Sequence, residues 1–189
     1  MKRISMMLMA VAMTGVVFAQ NIPATLRALH PSDEKVECQF KEERKKASVK
    51  ETEKREGKIV YQAPDDLRMD YTQPAGDYIL ITADKMEQCK NGKKQSVRVK
   101  NSRSNRYTVY RATLLSCIAG DIENAALLND AKYRCEQKGN KYLCTITAED
   151  AGGKELKEIQ LEYEVGTGKI LMMKLTEGSG NTATFHVSY

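Results

Sequence analysis

GKIVYQAPDDLRMDYTQP, residues 57–74, is two extended runs separated by a proline-containing loop and closed by a second proline. In the second run Leu67, Met69 and Tyr71 alternate with Arg68, Asp70 and Thr72. One side is apolar and the other polar, the two-residue period of a half-buried strand. Pro64 and Pro74 set its limits, since neither can donate a ladder hydrogen bond.

Towards the N-terminus, Val36, Cys38 and Phe40 alternate with Glu37, Gln39 and Lys41, opening a long strand that turns densely charged through Arg55. No apolar stripe at helical spacing accompanies residues 41–58, which predicts a long edge hairpin with a solvated far end. Before it, Pro23, Leu26, Leu29 and the His30-Pro31 stop predict a short amphipathic helix over Asn21–Leu29.

Towards the C-terminus, Tyr78–Thr82 reads as an apolar strand, turned at Ala83-Asp84-Lys85 and returning through Met86 to Cys89. From Lys90 to Arg111 there are eight basic residues and no acidic ones: Lys90, Lys93, Lys94, Lys100, and Arg98, Arg103, Arg106, Arg111. This run reads as a solvated hairpin and loop, with transient attraction to an anionic membrane surface as its functional alternative. Leu114, Leu115, Ile118, Ala119 and Ile122 fall at helical spacing and predict one or two helices between Ala112 and Asp130, interrupted at Gly120.

Tyr133–Gln137 and Tyr142–Ala148 flank Lys138-Gly139-Asn140-Lys141, a compact hairpin signal. A two-residue loop at Gly139-Asn140 sets Cys135 opposite Cys144 in a non-hydrogen-bonded pair, where backbones approach to about 4.5 Å, so a Cys135–Cys144 disulfide is expected. Ile159, Leu161, Tyr163 and Val165, then Leu171, Met173 and Leu175, then Ala183, Phe185, Val187 and Tyr189 each alternate with polar residues, a closing antiparallel meander.

Lys2 and Arg3 precede an apolar run from Ile4 to Val17 that ends Val17-Phe18-Ala19, the pattern of a signal peptide over residues 1–19, cut after Ala19. Gln20 follows the cut, so no cysteine is placed there to take a lipid. Of the 189 residues, 170 then form the exported chain, read as one domain over residues 20–189 with 28 basic against 25 acidic side chains. Five of the nine methionines belong to the signal, which removes any methionine-lined groove.

All five cysteines lie in the exported part, where disulfides persist, and an odd count leaves one over. No CxxC pair exists, and His30 and His186 stand far from any cysteine in sequence, so no metal or redox cofactor is expected. Gly166-Thr167-Gly168-Lys169 has only part of a phosphate-loop spacing and reads as a hairpin turn. His30 at a helix stop and His186 on a polar strand face read as surface residues, and Asp65-Asp66 as loop-shaping carboxylates, which leaves no nucleophile with a base and no enzyme. A long bent sheet with helical segments and no catalytic groups suits an apolar ligand. The predicted class is α+β: a strongly curved antiparallel sheet forming an unclosed half-barrel, covered by the N-terminal helix and the central helical segment.

The order of elements resembles the periplasmic outer-membrane lipoprotein carriers, the LolA family. It runs from an N-terminal helix to Gln39-Phe40 and a long hairpin. A strand ending at Pro64 follows, then one ending Thr72-Gln73-Pro74, a helical block at 112–130, and a meander with Val165-Gly166 and Gly168-Lys169-Ile170. The resemblance implies a half-barrel with a helical lid over an apolar cavity for lipoprotein acyl chains, lined by Leu67, Met69, Tyr71, Ile118, Leu161 and Tyr163. It also implies a monomer that takes lipoproteins from an inner-membrane releasing transporter to an outer-membrane acceptor, with transient membrane contact and no nucleic acid. The alternative is an envelope regulatory module that senses lipid or lipoprotein with the same fold. Where the family frequently carries an arginine thought to hold the lid, this chain has Ala63.

Overall fold

The structure is a computed structural model that describes residues 21–98 and 106–189. The predicted signal peptide and the basic positions Lys100 and Arg103 lie outside the described residues.

Helix α1 (Ile22–Leu29) begins at Asn21, whose side chain accepts from the Ala24 amide at 3.4 Å, with Pro23 in the first turn where its missing N–H is not needed. Six strands follow as consecutive hairpins: β1 (Lys35–Lys45), β2 (Thr52–Gln62), β3 (Asp66–Gln73), β4 (Ala75–Ile81), β5 (Lys85–Lys90) and β6 (Lys93–Arg98). Helices α2 (Arg106–Ile118) and α3 (Ile122–Leu128) come next, and α2 starts one and a half turns before the Ala112 expected from its apolar spacing. The closing strands are β7 (Lys132–Lys138), β8 (Lys141–Thr147), β9 (Leu156–Glu164), β10 (Ile170–Glu177) and β11 (Thr182–Ser188).

All eleven pair antiparallel in one sheet, ordered β6-β5-β4-β3-β2-β1-β11-β10-β9-β8-β7. The outermost strands, β6 and β7, do not pair with each other, so the sheet is an unclosed half-barrel, the expected class. The chain crosses from one outer edge to the other between β6 and β7, and α2 and α3 lie on that crossing.

The stretch 57–74 behaves as its period demands. Leu67, Met69 and Tyr71 are buried opposite Tyr61, Ile59 and Gly57. Only glycine fits at 57, since a Cβ there would lie 2.1 Å from the Asp70 carbonyl oxygen and 2.9 Å from the Phe40 ring. Cys135 sits opposite Cys144 in the β7–β8 register, and the two form a disulfide across nine positions of sequence.

Two expectations change. The charged hairpin is not an edge: β1 lies mid-sheet between β2 and β11, because the N- and C-terminal runs pair with each other. Its far end is solvated as expected, with residues 45–54 all exposed, but the inward alternation continues below it from Phe40 to Glu42, which is fully buried, and across to Arg55, 6% exposed. In β10 a register shift between Ile170 and Met172 displaces Leu171, and the inward face is Ile170, Met173 and Leu175.

His30 is also not a surface residue. Its side chain is 6% exposed, with Nδ1 2.7 Å from the Glu34 carboxylate and Nε2 3.0 Å from the Gly168 carbonyl oxygen, which ties the end of α1 to the β9–β10 turn. His186 is exposed.

Candidate functional site

Helix α2 occupies the hollow of the sheet. Thr113 through Ile118 are all buried, as in a helix enclosed on every side. Gly120 ends it with φ +65°, and a Cβ there would lie 2.8 Å from the His30 ring, so α1 packs directly over the turn. Helix α3 packs beside α2 and is pinned to α1 by Arg27, which reaches Asp121 at 3.0 Å and Glu123 at 2.5 Å.

Tyr110, Leu114 and Ile118, each four residues apart, turn one face of α2 towards the sheet. Facing it are Ile59, Leu67 and Met69 from β2 and β3, with Ile170, Met173 and Phe185 from the other half. These side chains enclose a void of about 20 Å³. That is room for about one water and far too little for an acyl chain, so the interior in this form is filled by α2.

Of the residues expected to line a cavity, Leu67, Met69 and Ile118 meet at this void. Tyr71, Leu161 and Tyr163 do not border it. The Tyr71 ring packs edge-on against Phe40 at 5.2 Å, Leu161 is buried opposite Met173, and the Tyr163 hydroxyl donates to the Cys117 carbonyl at 2.5 Å. Sequence reasoning missed Tyr110, although it continues the Leu114–Ile118 spacing backwards by one turn. It also left Met173 and Phe185 as sheet core, although both alternate on the inward face.

Among the described residues, two sets of polar contacts tie α2 to the sheet and its turns. Tyr163 anchors its C-terminal turn to β9. Near its middle, Arg111 is buried and donates from Nε to the Thr82 carbonyl at 2.9 Å and from Nη2 to Asp65 Oδ1 at 3.3 Å, bridging to the β2–β3 and β4–β5 turns. Arg111 is therefore not part of a solvated basic loop, and Asp65 accepts a helix contact besides shaping its turn. The contact joins helix to rim beside Ala63, with the guanidinium supplied from the helix.

One end of the interior is charged. Arg55 reaches Glu53 at 2.5 Å and Asp77 at 3.4 Å, with its guanidinium 5.4 Å from the Tyr71 ring centre, while Asp77 Oδ1 accepts from the Asn91 amide at 2.7 Å. Arg44 Nε donates to Glu42 Oε1, whose other oxygen is buried without a partner, as is the Tyr71 hydroxyl. The Arg55 hydrogen bond holds the Glu53 carboxyl below its ordinary range.

Burial raises the other ionisable groups of the interior: the Tyr110 hydroxyl to about 12, the Cys117 thiol to about 12 and the Cys38 thiol to about 11. At neutral pH these three groups remain protonated. Among the described residues no three metal-ligating side chains cluster, and no helix is long and apolar enough to cross a membrane.

No family model matches the chain, and no curated protein matches it. Solved structures do. An uncharacterized conserved protein from Thermus thermophilus is 8% identical, with 87% of this chain and 83% of that chain covered, at a TM-score of 0.50. The LolA superfamily protein from Nitrosomonas europaea is 12% identical, with 90% and 91% covered, at 0.41. A putative outer membrane lipoprotein-sorting protein domain from Vibrio parahaemolyticus is 11% identical, with 89% of each covered, at 0.44. The likeness is one of fold.

Proposed function

We propose that the protein binds acyl chains between α2 and the concave face of the sheet and shields them in the periplasm, as a non-enzymatic carrier of lipoproteins from inner to outer membrane. The observation that carries this reading is the pair of facing apolar surfaces. Tyr110, Leu114 and Ile118 on a helix meet Ile59, Leu67 and Met69 on a sheet across a void that no polar side chain but the Tyr110 hydroxyl borders. An acyl chain replaces the helix face when α2 shifts. Burying about fifteen methylenes at roughly 0.8 kcal/mol each gives an upper bound of about 12 kcal/mol per chain to offset that shift. In this reading an inner-membrane releasing transporter loads the protein and an outer-membrane acceptor unloads it.

A fluorescent fatty-acid probe tests the placement. Leu67→Glu puts a carboxylate where cargo would desolvate it, so probe binding should weaken at least about tenfold. Circular dichroism reports whether the variant folds, and Leu67→Ala, which enlarges the same void, should strengthen probe binding. Unchanged binding in a folded Leu67→Glu protein contradicts the placement.

A further inference from the structure

The charged end of the interior opens into a cavity of about 480 Å³ between the β1–β2 turn, the β10–β11 turn and α2. Arg44 lines it. Its Nε is occupied by Glu42, a fully buried carboxylate that does not itself border the cavity, and its two terminal nitrogens donate to no described residue. A guanidinium fixed from behind by a buried carboxylate presents its outer N–H groups as a fork suited to an oxyanion.

Around it stand Lys45, Lys46 and Lys90, none of which forms an ion pair among the described residues. Three carboxylates also line the cavity. Glu53 is held by Arg55, Glu177 accepts from Ser179 and Asn181, and Glu51 is exposed at the hairpin turn.

The cavity abuts the apolar void at one side chain. Tyr110 borders both. A charged mouth and an apolar interior that share one aromatic wall fit a molecule with a head and a chain.

We propose that this mouth is a head-group site: Arg44, with Lys45, Lys46 and Lys90 around it, holds the anionic head of an acyl amphiphile while its chain passes Tyr110 into the interior. The inference rests on the acyl-chain reading above and not on a lipoprotein as the owner of the chain. Carboxylate and phosphate heads share the required chemistry.

The test uses the full exported chain and displacement of a neutral fluorescent acyl ester by three competitors of equal chain length: palmitate, palmitoyl lysophosphatidic acid and monopalmitoyl glycerol. At least one anionic competitor should bind about tenfold more tightly than the neutral glycerol ester, and whichever is tighter separates carboxylate from phosphate as the preferred head. Arg44→Gln should reduce that preference to within about twofold and leave the neutral competitor unchanged. Because Arg44→Gln strands the Glu42 carboxylate, Lys90→Gln at an exposed position supplies a second variant, expected to lower the preference about threefold. Equal binding of neutral and anionic competitors by the unaltered protein, or equal loss of both in the variants, overturns the head-group site while acyl binding stands. No binding of any competitor or of the ester overturns the acyl reading and this inference with it.

Discussion

Strand β1 faces one interior with two chemistries. Its first half presents Val36, Cys38 and Phe40 inward, and its second half presents Glu42 and Arg44 on the same face. β2 repeats the division in reverse, with Arg55 inward near its start and Ile59 and Tyr61 near its end. Period alone sets which side chains point inward, and their chemistry then decides what each end can hold. At the apolar end packing carries the structure. At the other, buried charges persist because each has a partner: Arg44 for Glu42, and Asp77 with Glu53 for Arg55.

The largest effect is expected where that pairing is broken. Arg55→Met leaves Asp77, 4% exposed, facing only the Asn91 amide, and should cost about 3–5 kcal/mol in chemical denaturation. The double variant Arg55→Met, Asp77→Leu should recover most of the loss, since removing both charges also removes their desolvation cost. Leu67→Ala at the apolar end should cost about 3 kcal/mol, with the size of the cavity setting the figure. If the Arg55 variant is no less stable than wild type, the charged end is solvated after all and the two regions are not distinct.

A smaller effect is expected at the helix that spans both regions. Arg111→Ala removes the bonds to Thr82 and Asp65, which should lower stability by about 1–2 kcal/mol. Loss of that energy from the closed form alone should speed uptake of the fatty-acid probe about tenfold, since roughly 1.4 kcal/mol is a factor of ten. Lower stability with unchanged uptake in stopped-flow fluorescence would make Arg111 a structural contact only.

The apolar half was legible in the sequence because alternation and burial agree there. Leu67, Met69 and Tyr71 point inward as their period requires, and the β7–β8 loop length fixed Cys135 opposite Cys144. The charged half was not, because Glu42 and Arg55 alternate as inward residues while their composition suggests solvent. The pairing of β1 with β11, a contact between chain ends, encloses Glu42, and Asp77 with the Tyr71 ring encloses Arg55. Arg111 and His30 were misplaced for the same reason: the carbonyls of Thr82 and Gly168 that they reach lie 29 and 138 positions away. Of the six expected lining residues, three meet at the void, Leu67 and Met69 from the sheet and Ile118 from α2. Tyr163 points to the backbone of that helix, and Tyr71 marks the boundary between the two chemistries.

Whether the interior opens for acyl chains is tested most directly by native mass spectrometry of the protein purified gently from the cell envelope. Wild-type protein should carry a bound acyl-bearing species, a triacylated protein if it is a lipoprotein carrier, and folded Leu67→Glu protein should carry none. Wild-type protein found only at its ligand-free mass would contradict acyl binding. Ligand-free protein that stays attached to a membrane regulator would favour the sensing module over the carrier.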